Sequence, residues 1–371
     1  MNKNIIAAAA LALVSGAAMA DATLYGILDL SVTTTSNAGP NKQTLNGMTD
    51  GVYQPSLWGI TGSEDLGNGL KANFNLQSNM HSNTGQSGDP AGGGATKLFD
   101  RFATVGVSGD FGSINAGEMI DPLFLQSYLN SVRVAHAASL AVVSQLTYGG
   151  TPGGRANSTV VDVMQSNWLT YKTPVFNNFS AQGGYEFGNT AGNNTANSGQ
   201  YIQANYDANG LSLSAGYEVL NNSAQVLNNI AQNDKLKKAL FGANYTTGNW
   251  KFAGNVNTFK SDASTQVTDA NGYEVGVEYK FTSNFKGDIS HVWVNDNANH
   301  ATPKLSAISL LYSFSKRTNV WLLVDRADSD NLNAKSGAVT NGGVLWEPLY
   351  AQGVGSGSSQ TGVALGITHT F

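Results

Sequence analysis

Apolar residues recur at every second position through much of the chain, and this alternation constrains the fold more than any other feature of the sequence. In the segment 272–281 the odd-numbered residues are aromatic or valine, and the even-numbered residues are charged or glycine. Because successive side chains of a β-strand point to opposite faces, a period of two predicts strands with one apolar and one polar or small face. The segments 202–206, 211–219 and 363–371 repeat the pattern.

The connections between these segments are of two kinds. Several are very short and rich in Asn, Asp and Gly, such as 207–210 and 247–249, and these residues adopt the positive φ angles that tight hairpins need. Others are long, polar and rich in Gly and Ser, such as 82–96, 221–234 and 327–360. Short turns at one end and long loops at the other are typical of an outer-membrane β-barrel.

The sequence contains sixteen candidate strands, and an even number agrees with single-chain bacterial barrels. It therefore predicts an all-β fold, a transmembrane antiparallel β-barrel of 16 strands. The predicted strands lie near 23–35, 52–63, 69–80, 99–108, 112–119, 166–173, 179–188, 199–207, 210–220, 237–247, 249–260, 271–281, 285–295, 304–315, 318–328 and 361–371.

The composition agrees with a barrel wall and excludes several other classes. Only 12% of the 371 residues are charged, because lipid excludes charge from one face of each strand, at a cost of about 2–4 kcal/mol at the midplane. The chain has no apolar run of the length that a transmembrane helix requires, and it has no Cys for disulfide or thiol chemistry. A secreted β-sandwich or β-helix is the alternative, and loops of similar length at both ends would distinguish it.

The first twenty residues have the pattern of a secretory signal peptide. Lys3 provides a positive start, 5–14 is a short apolar core, and Ala18 and Ala20 frame a cleavage site of small residues. We expect removal of residues 1–20 and a mature barrel domain of residues 21–371. The formal net charge is −5, so the chain lacks the excess of basic residues that nucleic-acid binding requires.

Several blocks along the mature chain carry a family resemblance. The most specific is the hairpin WGITGSEDLGNGLKA, which begins at Trp58. Other blocks are 23–29, Arg101 with 105–108 and 111–112, 171–174 with 179–180, and the terminal Phe371. In this order, and ending on Phe, the blocks resemble the Gram-negative general porin family in its betaproteobacterial branch.

The resemblance implies a water-filled channel in the lipid of the outer membrane, usually a homotrimer, for passive diffusion of small hydrophilic solutes and ions. It implies no cofactor, no metal and no catalytic step. The terminal Phe371 resembles the aromatic residue that the barrel-assembly machinery recognises. The family's third long loop folds into the lumen and narrows it, and by position this constriction loop is 120–163.

Family members usually carry a ladder of Arg or Lys on the wall facing this loop, and charged rings on opposite walls of a pore decide its ion preference. Arg101 matches a family arginine, and Lys71 lies on the predicted lumen face. Leu57 and Thr170 stand where the family commonly has Arg. Glu118 stands where the fifth strand often ends in Gly-Arg.

Further residues complete the candidate constriction. Trp168 points inward by parity with Thr170, and Arg133 and Asp121 lie within the loop. We assign Arg101 and Arg133 as its cations and Asp121 and Glu118 as its anions. The absence of basic residues at these family positions predicts a weakly selective pore, or one that prefers uncharged or partly apolar solutes.

Three alternatives stay open at this point. A register displaced by one residue would turn Leu57 and Trp168 outward, to lipid or a trimer contact. A hydrolase is a remote alternative, because the chain has no Gly-x-Ser-x-Gly elbow, no His-Glu-x-x-His and no pair of His at metal-ligand spacing. Adhesion through the long loops is compatible with a pore, and the loop carboxylates are too sparse to predict a calcium site.

Overall fold

The computed structural model describes residues 21–38, 42–88, 97–132, 164–221, 235–261, 269–297, 300, 302, 304–328 and 359–371, so the predicted signal peptide, 1–20, lies outside the described residues. These residues form one helix, α1 (Pro122–Leu129), and no helix among them is long and apolar enough to cross a membrane. The strands are β1 (Asp21–Ala38), β2 (Gln43–Asp50), β3 (Leu57–Gly67), β4 (Leu70–His81), β5 (Gln86–Ser87), β6 (Phe102–Gly109), β7 (Gly112–Ile120), β8 (Met164–Lys172), β9 (Phe179–Glu186), β10 (Gly199–Ala208), β11 (Leu211–Asn221), β12 (Lys235–Thr247), β13 (Trp250–Ser261), β14 (Asp269–Lys280), β15 (Phe285–Asp296), β16 (Lys304–Ser313), β17 (Thr318–Asp328) and β18 (Ser359–Thr370).

The strands form one closed antiparallel sheet. β1 pairs with β18 from Ile27 opposite Thr370 to Thr35 opposite Gly362, which joins the two ends of the sheet. On its other edge, β1 pairs with β3 and then with β2, so β2 and β3 together form one wall strand. β5 pairs only with the end of β4, outside the wall. The wall therefore has sixteen strands, and the predicted barrel is confirmed.

The predicted second strand, 52–63, differs from the observed one. Pairing with β1 runs through β2, stops over 51–56 and resumes at Leu57. In this interruption Val52 and Tyr53 are buried, and the Tyr53 ring stacks on Trp321 with centroids 5.5 Å apart. The apolar residues at 52–53 that extended the predicted strand therefore pack inside the barrel instead of pairing in its wall.

The short connections lie at one end of the barrel, which we call the turn end, and the long ones at the other, the loop end. Two-residue turns join β3 to β4 and β10 to β11, and both central residues have positive φ: Asn68 and Gly69 at 54° and 78°, and Asn209 and Gly210 at 52° and 81°. Asn-Gly is the dipeptide that favours this geometry, so the sequence predicts these hairpins for the correct physical reason.

The register places one side-chain set outside and the other inside throughout the wall. Apolar residues such as Leu24, Val105 and Ile202 are outward and more than half exposed. Polar residues of the opposite parity, such as Asp29 and Gln203, are inward and buried. The alternation in the sequence is thus the division between lipid-facing and lumen-facing side chains.

The seam between β1 and β18 depends on a glycine. Gly26 and Phe371 exchange two backbone hydrogen bonds, of 3.2 Å and 3.0 Å, and the Phe371 ring lies where a Gly26 side chain would be. Any larger residue at position 26 would overlap this ring.

We expect Gly26→Val to weaken closure of the barrel. Overpacking of this kind costs about 1–3 kcal/mol, so the temperature at which the folded band disappears in SDS gel electrophoresis should fall. Gly47→Val is the matched control, because a side chain at Gly47 would meet only Thr33 Oγ1, at 3.7 Å. Equal thermal resistance of the two variants would contradict this account of the seam.

Candidate functional site: the lumen and its infolded segment

The chain turns into the barrel directly after β7. Asp121 Oδ1 accepts a hydrogen bond of 2.9 Å from the backbone N–H of Phe124, which caps α1, and Pro122 occupies the first turn, where no N–H donor is needed. We call residues 121–132 the infolded segment. The remainder of the predicted constriction loop, 133–163, lies outside the described residues, and with it the candidate cation Arg133.

The infolded segment lies along a track of inward-facing glycines on the wall from β11 to β14. Leu123 Cδ1 is 3.2 Å from the position that a Cβ atom of Gly216 would occupy. Further along, Asn130 lies where a side chain of Gly242 would be, and Val132 where a side chain of Gly276 would be. The three glycines let the segment approach the wall backbone more closely than any other residue would allow.

Hydrogen bonds from the same wall hold the segment in place. Ser127 Oγ donates to Asn255 Oδ1 at 3.2 Å and accepts from Asn257 Nδ2 at 3.1 Å. Lys251 Nζ donates to the Ser131 carbonyl at 2.9 Å. Because Ser127, Asn255 and Asn257 are all buried, these bonds satisfy groups that would otherwise lose their hydration uncompensated.

A buried ion network anchors the root of the segment. Glu218 on β11 and Lys238 on β12 are directly opposite in register, and Lys238 Nζ is ion-paired with both Glu218 and Asp121. Gln165 Nε2 also donates to Asp121 Oδ2, at 3.0 Å. Both carboxylate side chains are fully buried and that of Lys238 is 4% exposed, so two buried acids share one ammonium as their counterion.

The wall at β4 carries a row of amides. Arg101, which precedes β6, donates from Nε to Gln77 Oε1 at 2.7 Å and from Nη1 to Asn79 Oδ1 at 2.8 Å. Gln77 in turn donates to the Tyr25 hydroxyl at 2.9 Å. We call the inward-facing amides of β4 the amide row: Asn73, Asn75, Gln77 and Asn79.

Four of the residues selected from the sequence lie on the inward face. Leu57 is opposite Asn79 and Ile27, and Lys71 shares the parity of the amide row. Thr170 and Trp168 are both inward, and the Trp168 ring packs against Tyr201 with centroids 5.2 Å apart. The alternative of a register displaced by one residue therefore does not hold at these positions.

The assignment of Glu118 to the constriction is corrected by the structure. Glu118 is opposite Ala103 in the regular pairing of β7 with β6, and so it has the same outward parity as Ile114 opposite Val107. Its carboxylate is 2.9 Å from Lys97 Nζ and accepts from Ser166 Oγ at 3.1 Å. Glu118 thus belongs to a polar cluster on the outer surface.

Sequence reasoning missed several charged residues of the lumen. Glu218, Lys238 and Asp325 are inward and buried, as is Asp29 on β1. The two-residue alternation could have identified these residues, because each of them lies on the polar face of its strand. Their meeting with Asp121 was not predictable, since 117 residues separate Asp121 from Lys238 in the chain.

A closed antiparallel barrel, apolar outside and polar inside, with a segment of its own chain folded into the lumen, defines the class of outer-membrane pore proteins. A model of the Gram-negative porin family matches residues 7–332. The chain belongs to the Gram-negative porin family, and it is an outer-membrane channel for passive diffusion. Porins are channels and not enzymes as a family.

Individual relatives agree with this assignment. Outer membrane porin protein 32 of Delftia acidovorans is 30% identical over 384 aligned positions, with 100% of both chains covered. A Bordetella pertussis outer membrane porin protein is 28% identical, over 86% of this chain and 93% of its own. The anion-selective porin from Comamonas acidovorans has the same fold, with a TM-score of 0.79 at 23% identity over 95% of this chain and 100% of its own.

We expect Lys238→Met to destabilise the folded barrel by about 3–5 kcal/mol, because it leaves two buried carboxylates without a counterion. Glu218→Gln is the matched control and should cost much less, since Lys238 and Asp121 remain paired. Urea titration of the folded protein in detergent, followed by tryptophan fluorescence, measures both. A Lys238→Met variant as stable as the parent would show that the network does not anchor the segment.

Proposed function

We propose that this porin is a weakly ion-selective pore for small hydrophilic solutes, narrowed where the infolded segment faces the amide row. One observation carries the proposal. The inward positions at which the family commonly has Arg hold Leu57 and Thr170, and Arg101 is engaged by the amides of Gln77 and Asn79. With the ladder reduced in this way, the charged wall that gives strong anion preference is incomplete.

The contacts favour hydrophilic solutes over the alternative of partly apolar ones. Leu57 and Trp168 are inward but only 7% and 1% exposed, and the Trp168 ring packs against Tyr201. A solute in the lumen would therefore meet little of their apolar surface. It would meet instead the amide row, Arg101 and Lys71, which we assign to the pore. Asp121 contributes to the constriction as the buried anchor of the infolded segment, paired with Lys238, and a solute would not contact it.

The assembly that we propose is a homotrimer. The outward face of β1 to β6 carries exposed apolar side chains, among them Leu24, Val32 and Val105. An outer membrane protein of Vibrio cholerae with the same fold, OmpT, is described in a trimer form, with a TM-score of 0.62. Light scattering in a mild detergent tests this assembly, and a monomer mass would contradict it.

We propose that the first twenty residues direct export of the chain and that its C-terminal strand directs assembly of the barrel. Residues 1–20 direct secretion and are removed, and the barrel-assembly machinery recognises the C-terminal strand through Phe371, whose side chain is 40% exposed. N-terminal sequencing of protein from outer membranes should begin at Asp21. A chain that begins at Met1 in the outer membrane would contradict the cleavage.

We also propose that the chain catalyses no reaction and needs no cofactor or metal. The support for this proposal is the family assignment, because the family and the relatives of this chain are porins. Adhesion through the long loops is a separate property that cell-binding assays address, and it does not compete with conduction.

The test of weak selectivity is the reversal potential of single channels in a planar bilayer under a KCl gradient. We expect a small reversal potential for the native protein. The double variant Leu57→Arg and Thr170→Arg should shift it towards the chloride equilibrium potential, because it restores positive charge to the wall.

The matched control is Leu57→Gln with Thr170→Gln, which changes size and polarity without charge and should leave the reversal potential unchanged. Strong anion selectivity of the native protein would contradict the proposal of weak selectivity. The absence of any conductance would contradict the function as a pore.

A further inference from the structure

The inward side chains of the wall are buried on one side of the lumen and open on the other. From β15 to β18, every described inward side chain is buried except the one nearest the turn end of each strand. From β4 to β9, most inward side chains are partly exposed, among them Asn75, Asn115 and Gln182. The open space of the described lumen therefore lies beside β4 to β9.

Uncharged polar side chains line the middle of this open side. Asn75 on β4 is directly opposite Thr104 on β6. Asn115 on β7 is likewise directly opposite Thr170 on β8. Because neighbouring strands are about 4.8 Å apart, these side chains form a continuous surface across the strands. We call this set the neutral band: Asn75, Thr104, Asn115 and Thr170.

Charged side chains lie at the ends of this side and not in its middle. In the wall strands from β4 to β10, each inward Asp, Glu, Lys or His is within one residue of a strand terminus: Lys71, His81, Lys172, Glu186 and Asp207. Arg101, beside the loop end of β6, donates to the amide row. The middle of the open side thus offers a solute hydrogen-bonding groups and no fixed charge of its own.

The infolded segment turns an apolar surface towards this space. The side of α1 that contains Leu123 and Ser127 is buried against the wall. On the opposite side Leu125 and Leu129, one turn apart, are 37% and 44% exposed. Ser127 bonds α1 to β13, and β4 is eight wall strands from β13 in either direction around the barrel. The exposed leucines therefore face across the lumen towards the β4 end of the neutral band.

We propose that the neutral band and the two exposed leucines of α1 form a passage that favours uncharged polyhydroxyl solutes, which are sugars and sugar alcohols by chemical class. This inference rests on the proposed function of the chain as a pore for small hydrophilic solutes, and it names the solutes within that group. Sugar hydroxyls donate and accept hydrogen bonds, as the amides and hydroxyls of the band do. The C–H groups of the sugar cover the leucines, whereas an ion finds no opposite charge within the band.

Two members of the band have side chains that are available to a solute. Thr104 and Asn115 are partly exposed, and within the described part of the chain their side chains make no hydrogen bond. Replacing them by residues of nearly the same shape therefore removes hydrogen bonds to a solute without breaking one within the described protein.

Single cysteines test which side of the lumen is open, since the chain has no Cys of its own. Asn115→Cys should react with a charged methanethiosulfonate reagent in inserted channels, and single-channel conductance should then fall. Ser290→Cys, at a buried inward position of β15, should not react. Equal reaction of the two cysteines would contradict an open space confined to the β4 to β9 side.

The decisive variant is Thr104→Val with Asn115→Leu, which keeps the approximate size of both side chains and removes their hydrogen-bonding groups. Its matched control is Thr258→Val with Asn271→Leu, directly opposite each other on the outward face of β13 and β14. The two double variants contain the same substitutions, and only the first changes the lumen. Liposome swelling then compares glucose with a polyethylene glycol of the same mean mass, which has hydroxyls only at its ends.

We expect the native protein and the control to admit glucose several-fold faster than the glycol, and the lumen variant to lose most of that preference. Its single-channel conductance in KCl should stay near the native value, because neither substitution changes charge and both nearly keep size. Leu125→Asn with Leu129→Asn should reduce the preference as well, since Asn has nearly the shape of Leu without its hydrocarbon surface.

Native protein that admits glucose and the glycol at equal rates would overturn this inference and leave the function as a pore intact. A variant of the band or of the leucines that keeps the native preference would overturn it too. Native protein that neither conducts nor admits either solute would instead contradict the function itself.

Discussion

The interior of a membrane offers the backbone no hydrogen-bond partner, and this constraint organises the whole structure. Each wall strand is paired on both edges, and the last pairing, between β1 and β18, is completed by the bonds between Gly26 and Phe371. Because the sheet is closed, its two faces meet different surroundings along every strand. The alternation in the sequence, the scarcity of charge and the inward position of acids such as Asp29, Glu218 and Asp325 all follow from that closure.

Closure produces a lumen, and the infolded segment determines its shape. Gly216, Gly242 and Gly276 let this segment lie against the wall, while the ion network of Asp121, Glu218 and Lys238 fixes its root. The segment also contributes Leu123 and Phe124 to the buried apolar cluster of the barrel. The wall from β11 to β14 thus holds the segment, and the amide row and Arg101 lie on the β4 side.

The sequence predicted the tight turns and the side-chain parity of the strands, because both depend on interactions between neighbouring residues. The Asn-Gly turn at Asn209 and the inward parity of Leu57 and Trp168 follow from positive φ angles and from the two-residue period. Parity does not encode the contacts of Arg101, because this residue precedes β6 and reaches the amide row from outside the regular strand. The partnership of Asp121 with Lys238 depends on how a loop folds back across the lumen, and no spacing in the sequence encodes that contact.

The central claim is that the infolded segment stays against the β11 wall while the channel conducts. Its most direct test is the double variant Leu123→Cys and Gly216→Cys, in a chain that has no other Cys, with single-channel conductance recorded before and after oxidation. The account predicts that the disulfide forms readily, because Leu123 Cγ is 3.3 Å from the position that a Cβ atom at residue 216 would occupy, and that conductance does not change. Failure of the disulfide to form in the folded protein, or a changed conductance once it has formed, would contradict the account.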